Sequence, residues 1–233
     1  MITTIALDNG LVLAYPASGN WFLPANLPQL LGMRNMMKMV SGAQSIKENS
    51  QRAMDYLTEN HLVRTVDEEF AQFKEFYKIM FGGCDMKGLD GIAEELARNA
   101  VFNEDKIKFY DDVLQGLRAL KARWRVVVIS DAWPSLRDRL DGAGITPLLD
   151  DVVVSCDYGH CKSSEGKLFQ SAIEHHGILP EETLFVDDGA DNLACARALG
   201  FHVAQMDREG KLEESDYPLV HTLEEVAALA DAI

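Results

Sequence analysis

Cysteine, basic residues and long apolar runs are all scarce in this chain of 233 residues. The four cysteines are scattered and form no CxxC pair, so neither a disulfide framework nor a zinc finger is expected. No apolar run approaches the about 20 residues of a transmembrane helix. The 22 basic residues are outnumbered by 37 acidic ones, which gives a net charge of −15. That balance argues against nucleic-acid and membrane partners, because both require clustered lysine and arginine.

The first ten residues, MITTIALDNG, have no basic start, and Asp8 interrupts what would be the apolar part of a signal peptide. We therefore expect the chain to stay in the cytoplasm. Hydrophobic residues make up 47% and charged residues 25%, a balance typical of globular proteins. The length fits one or two domains of about 100–200 residues each.

Five short apolar segments, each ending in polar residues, predict buried strands. They cover residues 2–7, 125–129, 151–154, 183–186 and 201–205. Helical patterns cover residues 113–123, 135–143, 165–176 and 192–199, and the tail at 219–230 indicates a short strand followed by a helix. Strands that alternate with helices predict an α/β fold, a doubly wound parallel sheet with helices on both faces.

Residues 15–106 differ from the rest of the chain. Helical patterns cover residues 29–40, 46–59, 67–81 and 89–98, with no strand alternation between them. We therefore expect a helical domain inserted after the first strand into an α/β core formed by residues 1–14 and 107–233. Its first helix carries Met33, Met36, Met37 and Met39. We expect these methionines to fill the core, the alternative being a surface that faces a substrate.

Polar side chains collect at the carboxyl ends of the predicted strands, where doubly wound sheets bind their ligands. An aspartate after one strand is by itself most often a turn residue, but an ordered set of such residues indicates a site. The set comprises Asp8, Ser130, Asp131, Ser155, Lys162, Asp187 and Asp188.

These residue types suit phosphoryl transfer with a hard cation. Carboxylates brought together repel one another, and a divalent cation relieves the repulsion. Mg²⁺ prefers carboxylate and phosphate oxygens. Ser130 and Lys162 would hold the phosphate oxygens and stabilise developing charge. Asp8 would act as the nucleophile and form an aspartyl-phosphate.

Four of these segments resemble the four motifs of the haloacid dehalogenase-like (HAD) superfamily. They are Asp8-Asn9-Gly10, the strand VVVIS that ends at Ser130, Lys162, and the segment FVDD with Asn192. The resemblance covers residues 1–14 and 107–233, and the helical insertion lies where that superfamily places its C1-type cap. It implies a Rossmann-like core with a cap domain at residues 15–106.

The resemblance also implies a role for each matching residue. Asp8 would be the nucleophile. Ser130, Asp131 and Lys162 would bind the phosphoryl group, with Lys162 neutralising both the nucleophile and the intermediate. Asp188 would be the principal metal ligand beside Asp8, and Asp187 would support the metal directly or through water. The metal set implied in this way is Asp8, the backbone carbonyl of Gly10, Asp187, Asp188 and Asn192, which stands where many members carry a further aspartate.

Two positions depart from the common pattern. Gly10 stands where most members carry an aspartate that protonates the leaving group, a step worth about 10²–10⁴-fold. Some phosphatase-like members also have glycine there. Lys162 is followed by Ser163 rather than proline. In another register Asp8 is the second aspartate and Ala6 takes the nucleophile's place, which would give an inactive protein.

We therefore expect a Mg²⁺-dependent HAD-like hydrolase, a phosphatase for a small phosphorylated metabolite, present as a monomer or homodimer. Two alternatives stay open. One is a haloacid dehalogenase, although those enzymes lack the acidic pair seen here as Asp187 and Asp188. The other is a catalytically weak protein that binds a phosphorylated ligand on the same fold, an alternative suggested by Gly10.

Overall fold

The computed structural model describes all 233 residues and shows two compact units. One combines Met1–Tyr15 with Phe109–Ile233, and the other is Pro16–Lys108. The strands are β1 (Thr4–Leu7), β2 (Ala14–Pro16), β3 (Ile107–Phe109), β4 (Arg125–Ser130), β5 (Asp151–Val154), β6 (Thr183–Asp187), β7 (His202–Met206) and β8 (Leu219–Val220). The helices are α1 (Leu27–Ser41), α2 (Ala43–Glu59), α3 (Val66–Phe81), α4 (Leu89–Phe102), α5 (Val113–Lys121), α6 (Ser135–Gly142), α7 (Ser155–Tyr158), α8 (Lys167–His176), α9 (Ala190–Ala198) and α10 (Leu223–Ala232).

The larger unit contains a parallel six-stranded sheet in the order β5-β4-β1-β6-β7-β8. β1 lies at the centre, and all four of its residues are buried. Leu7 at its end pairs with Val128 of β4 and Val186 of β6. The predicted doubly wound parallel α/β fold is confirmed. Because the strands are parallel and in register, the residues that follow β1, β4 and β6 come together at one edge.

Helices cover both faces of this sheet. On one face, Phe169 of α8 meets Phe185 of β6 edge to face, with ring centroids 4.9 Å apart. α9 contributes Leu193 to the same buried cluster. On the other face α5 packs against α10, where a Cβ atom at Gly116 would lie 2.5 Å from the Cβ of Leu223. Glycine at that position is therefore what allows the two helices to approach so closely.

The smaller unit is built from α1–α4, one helix for each predicted helical segment. The start of α3 is fixed by a capping box in which the side chains and backbone amides of Thr65 and Glu68 pair reciprocally. Its buried face carries Phe76 and Tyr77, and the Tyr77 hydroxyl donates to the carbonyl of Phe22. α3 therefore contributes aromatic side chains to a core that also contains aliphatic residues such as Leu57 and Leu96.

The expectation that the methionines of α1 fill the core is wrong. Met33 and Met37 are 80% and 62% exposed, and α1 buries only Leu27 and Leu31. Gly32, whose φ is 67°, interrupts α1. All four methionines lie after this break, in a part of the helix that buries no residue, so their helical spacing does not reflect a core-facing side.

Three short elements were not predicted from the sequence. β2 and β3, of three residues each, pair with each other in a separate two-stranded sheet, and α7 has only four residues. Segments of three or four residues are too short to show the hydrophobic periodicity from which strands and helices are predicted. No helix combines the length and the apolar character needed to cross a membrane.

Candidate active site

The centre of the site is the ammonium group of Lys162. Its Nζ lies 2.7 Å from Oδ1 of Asp8 and 2.5 Å from Oδ2 of Asp187. The Lys162 side chain is 1% exposed and that of Asp187 is 0% exposed. Two carboxylates from the ends of β1 and β6 therefore share one buried cation, as expected from the alignment of the strand ends.

Burial and neighbouring charges have opposite effects on the pKa values of Asp8 and Lys162. Burial raises the pKa of Asp8, although Lys162 opposes the shift. Burial by itself lowers the pKa of Lys162, but attraction to Asp8 and Asp187 outweighs it and raises that pKa above its usual value. Lys162 is therefore a permanent cation, since only its protonated form balances the neighbouring carboxylates.

The Asp187 carboxylate is fully engaged by donors of the protein. Oδ1 accepts from the Gly189 amide at 2.8 Å and from Nδ2 of Asn192 at 3.1 Å, and Oδ2 accepts from Lys162. A Cβ atom at position 189 would lie 3.1 Å from Oδ1 of Asp187, so glycine allows this turn to close tightly. Asp187 thus holds Lys162 in place and has little capacity left for a ligand.

Asp188 differs from its neighbour because it is half-buried. Three carboxylate oxygens, one each from Asp8, Asp187 and Asp188, lie within 4.8 Å of one another. Burial raises the pKa of Asp188, and the charge of Asp187 raises it further. The three carboxylates together form a dense negative cluster beside one lysine.

The last residue of β4 and the residue after it form a second side of the site. The Ser130 hydroxyl, which is buried, hydrogen-bonds to the Asp8 carboxylate. Oδ1 of Asp131 accepts from the backbone amide of Lys162 at 2.8 Å, which ties the lysine's loop to this segment. Burial raises the pKa of Asp131. Ser130, Asp131 and Lys162 are thus brought together with Asp8.

The turn after Asp8 is tightly folded. The backbone carbonyl of Asn9 accepts from the amides of Leu13 and Ala14 at 2.9 and 2.8 Å. Leu11 takes a φ of 52°, which is uncommon for a residue other than glycine. Gly10 is half-buried and its φ is not in the left-handed region. The turn therefore does not require glycine at position 10 for backbone reasons.

The donor set of this cluster fits a hard divalent cation. Oδ1 of Asp8 is buried, and no donor is aligned to hydrogen-bond it, although Lys162 is adjacent. Mg²⁺ takes oxygen ligands at about 2.1 Å, so two of its ligands lie at most about 4.2 Å apart. One oxygen each of Asp8, Asp187 and Asp188 lie within 4.8 Å of one another, close to that spacing. Asp8 and Asp188 supply charge at this position, whereas the oxygens of Asp187 accept from Lys162 and from Nδ2 of Asn192.

The sequence placed Ser155 among the polar residues at the strand ends, but it did not predict the contacts that hold these loops. Ser155 receives a hydrogen bond from the Ala132 amide at 3.0 Å, which fixes the loop after Ser130. Arg208 donates to the Val12 carbonyl from both Nε and Nη2, at 2.9 and 2.6 Å, and so anchors the turn after Asp8. Arg208 and Val12 are far apart in the chain, so no local pattern could reveal this contact.

Among curated proteins, the chain is similar to two phosphatases. It is 28% identical to D-ribitol-5-phosphate phosphatase from Bacteroides thetaiotaomicron over 111 residues, 45% of this chain and 52% of that enzyme. The chain thus spans about half the length of that relative. It is 25% identical to the GMP/IMP nucleotidase from Escherichia coli strain K12 over 203 residues, 85% of this chain and 80% of that protein.

Solved structures with the same fold include a dehalogenase and a phosphatase. The 2-haloacid dehalogenase from Pseudomonas syringae superposes with a TM-score of 0.70 at 19% identity, covering 100% of both chains. The HAD phosphatase from Thermococcus onnurineus gives 0.64 at 18% identity, covering 98% of this chain and 97% of that one. The family model for haloacid dehalogenase-like hydrolase matches residues 38–200. With the fold and this match in agreement, the chain belongs to the haloacid dehalogenase-like hydrolases.

Proposed function

We propose that this hydrolase is a Mg²⁺-dependent phosphatase that moves the phosphoryl group of a small phosphorylated metabolite onto Asp8. The observation that carries the proposal is the buried Asp8–Lys162–Asp187 group with Asp188 beside it. A nucleophilic carboxylate, a fixed cation and an acidic pair at one sheet edge are the parts that an aspartyl-phosphate reaction requires. The similarity to two phosphatases supports the same chemistry.

In the first step an oxygen of Asp8 attacks the phosphorus atom, and the bond from phosphorus to the substrate's ester oxygen breaks. The leaving oxygen takes up a proton, and Asp8 becomes an aspartyl-phosphate. In the second step water attacks the phosphorus, the bond to Asp8 breaks, and inorganic phosphate is released. Asp8 returns as the free carboxylate, so the enzyme is unchanged after one cycle.

Lys162 and Ser130 serve both steps. Lys162 neutralises Asp8 before attack and the phosphoryl oxygens afterwards, and its position is set by Asp187. Ser130, whose hydroxyl reaches Asp8, is placed to donate to a phosphoryl oxygen. Asp8, Asp188 and the Gly10 carbonyl would hold Mg²⁺, which would supply further positive charge to the phosphate. Asp187 supports this arrangement because its carboxylate accepts hydrogen bonds from Lys162 and from Asn192.

The direct test is a screen of phosphorylated metabolites with and without Mg²⁺, with a haloacid included. Phosphate release that requires Mg²⁺ is the expected result. Haloacid turnover without metal would assign the chain to the dehalogenases instead. Binding of phosphorylated compounds without any turnover would indicate a ligand-binding protein, the other alternative suggested by Gly10.

We expect the variant Asp188→Ala to bind Mg²⁺ more than about 100-fold more weakly than the wild type. Loss of a residue that merely supports a metal ligand costs about 10- to 100-fold in affinity, and loss of a ligand should cost more. Calorimetric titration with MgCl₂ measures the change. Asp191→Ala is the matched control, because Asp191 is exposed and lies three residues further along the chain, in the first turn of α9. Equal affinity in wild type and Asp188→Ala would remove Asp188 from the metal site.

We expect Gly10→Asp to raise turnover of an alkyl phosphate such as a sugar phosphate by up to about 100-fold, the lower end of the range for general acid catalysis. Turnover of p-nitrophenyl phosphate should rise much less, because its leaving group needs little protonation. The ratio of the two kcat values is the measurement. The φ of Gly10 lies outside the left-handed region, so the backbone can accept aspartate.

A folded Gly10→Asp variant with no gain specific to the alkyl substrate would contradict this assignment of the missing acid. Another group would then supply the proton. Asp131 is the first residue to test, because it lies beside Lys162 and its burial raises its pKa. The variant Asp131→Asn keeps an oxygen for the Lys162 amide while removing the transferable proton.

A further inference from the structure

We propose that Gln205 is a positioning residue for the metal site and acts by fixing the backbone of Asp188. Gln205 lies near the end of β7 and pairs in register with Asp187 of β6. Its side chain is 7% exposed, and Nε2 donates to the Asp188 carbonyl at 2.8 Å. This inference depends on the proposed metal site and extends it to a residue that none of the sequence motifs includes.

The orientation of the Gln205 amide is set by its other contacts. Oε1 accepts from the Ser215 hydroxyl at 2.5 Å, and the oxygen of that hydroxyl accepts from the Tyr217 amide at 3.0 Å. The backbone amide of Gln205 donates to the Pro218 carbonyl at 2.8 Å. Because Ser215 gives its proton to Oε1, the NH₂ group must point at Asp188. A chain of hydrogen bonds thus runs from residues 215–218 to the metal loop.

The same segment touches that loop a second time. The Tyr217 hydroxyl donates to the carbonyl of Ala190 at 3.4 Å. The carbonyls of Asp188 and Ala190 are therefore held from one side, on either side of Gly189. Glycine has no side chain that restricts its backbone, so these two hydrogen bonds add to the bond from the Gly189 amide to Asp187 in fixing the turn.

Asp188 needs an anchor for an electrostatic reason as well. Its carboxylate is part of a cluster in which Asp8, Asp187 and Asp188 offer oxygens within 4.8 Å of one another. Lys162 is directed at Asp8 and Asp187 and leaves Asp188 without an ion-pair partner within 4 Å. Repulsion favours movement of the Asp188 carboxylate away from the cluster, and the Gln205 hydrogen bond fixes the backbone position from which that side chain extends.

We expect Gln205→Met to raise the dissociation constant for Mg²⁺ by about tenfold, the lower end of the range for residues that orient a metal ligand. Methionine has a similar size and no donor. Calorimetric titration with MgCl₂ alone measures the affinity, and thermal melting confirms that the variant is folded. His202→Gln is the matched control, because His202 lies at the opposite end of the same strand and its side chain hydrogen-bonds to the Glu181 carbonyl, away from the metal loop.

Ser215→Ala provides an independent variant at a half-buried position. It leaves the Gln205 amide in place but removes the bond that orients it, so a smaller rise in the dissociation constant, about threefold, is expected. In activity assays the Mg²⁺ concentration for half-maximal rate should rise in both variants, and excess Mg²⁺ should restore the rate. General damage to the fold would lower the rate at every Mg²⁺ concentration.

The outcomes separate this inference from the proposed function. If the wild type binds no Mg²⁺, the proposed metal site is wrong and the role of Gln205 is wrong with it. If the wild type binds Mg²⁺ and both variants bind it equally well, the metal site stands and only the role of Gln205 is overturned. If Gln205→Met does not fold, unchanged affinity in Ser215→Ala overturns the inference.

Discussion

Asp8→Asn should reduce phosphatase turnover by at least about 10⁴-fold, because loss of a nucleophile removes the covalent route entirely. Asparagine keeps the shape of the side chain and a hydrogen-bond acceptor for Ser130, but its amide does not attack phosphorus. The fold should persist, since the change also removes a buried charge whose pKa is raised by burial. Phosphate release at saturating Mg²⁺ measures the loss, and circular dichroism checks the fold.

Substantial residual turnover in Asp8→Asn would contradict the covalent mechanism and show that water attacks the substrate directly. The same experiment bears on the alternative register, in which Ala6 takes the nucleophile's place. Ala6 lies inside β1, is completely buried, and pairs with Val127 and Phe185. A mass increase corresponding to one phosphoryl group on the wild type, absent from Asp8→Asn, would identify the attacking residue.

The sheet could be predicted from sequence because its strands are short, continuously apolar and end in polar residues. β5 was predicted with its observed bounds, and β4 and β6 extend only one residue beyond the prediction, through Ser130 and Asp187. Parallel pairing then brings the ends of β1, β4 and β6 together without further information. The arrangement of Asp8, Ser130 and Asp187 follows from this geometry alone.

Interactions between distant loops could not be predicted in the same way. Lys162 follows the edge strand β5, and the resemblance implied that it neutralises Asp8, but no pattern indicated that its ammonium group also pairs with Asp187. Asn192 as a metal ligand stays a prediction, and the motif did not indicate that its Nδ2 donates to both oxygens of Asp187. A motif predicts which residues meet, but the partner of each atom depends on the loops in three dimensions.

Lys162→Met should lower the free energy of unfolding by about 3–5 kcal/mol when measured without Mg²⁺, because it leaves two carboxylates buried without their counter-charge. Methionine fills much the same volume as the lysine stem, so loss of packing contributes little. Urea denaturation followed by circular dichroism measures the change. Turnover should also fall, since Lys162 neutralises Asp8 in the proposed reaction.

Lys121→Met is the matched control for this stability effect. Lys121 pairs with Asp150 at 3.0 Å, but the two side chains are 32% and 38% exposed, so water screens the pair. Exposed ion pairs contribute about 1 kcal/mol or less, and the control should change the free energy of unfolding by no more than that.

If Lys162→Met were no more destabilising than Lys121→Met, the buried carboxylates would have to be protonated or separated in the folded protein. A fixed Asp8–Lys162–Asp187 group would then be excluded, together with the mechanism built on it. If instead Lys162→Met is strongly destabilised and added Mg²⁺ recovers part of the loss, then a divalent cation and the lysine neutralise the same carboxylates.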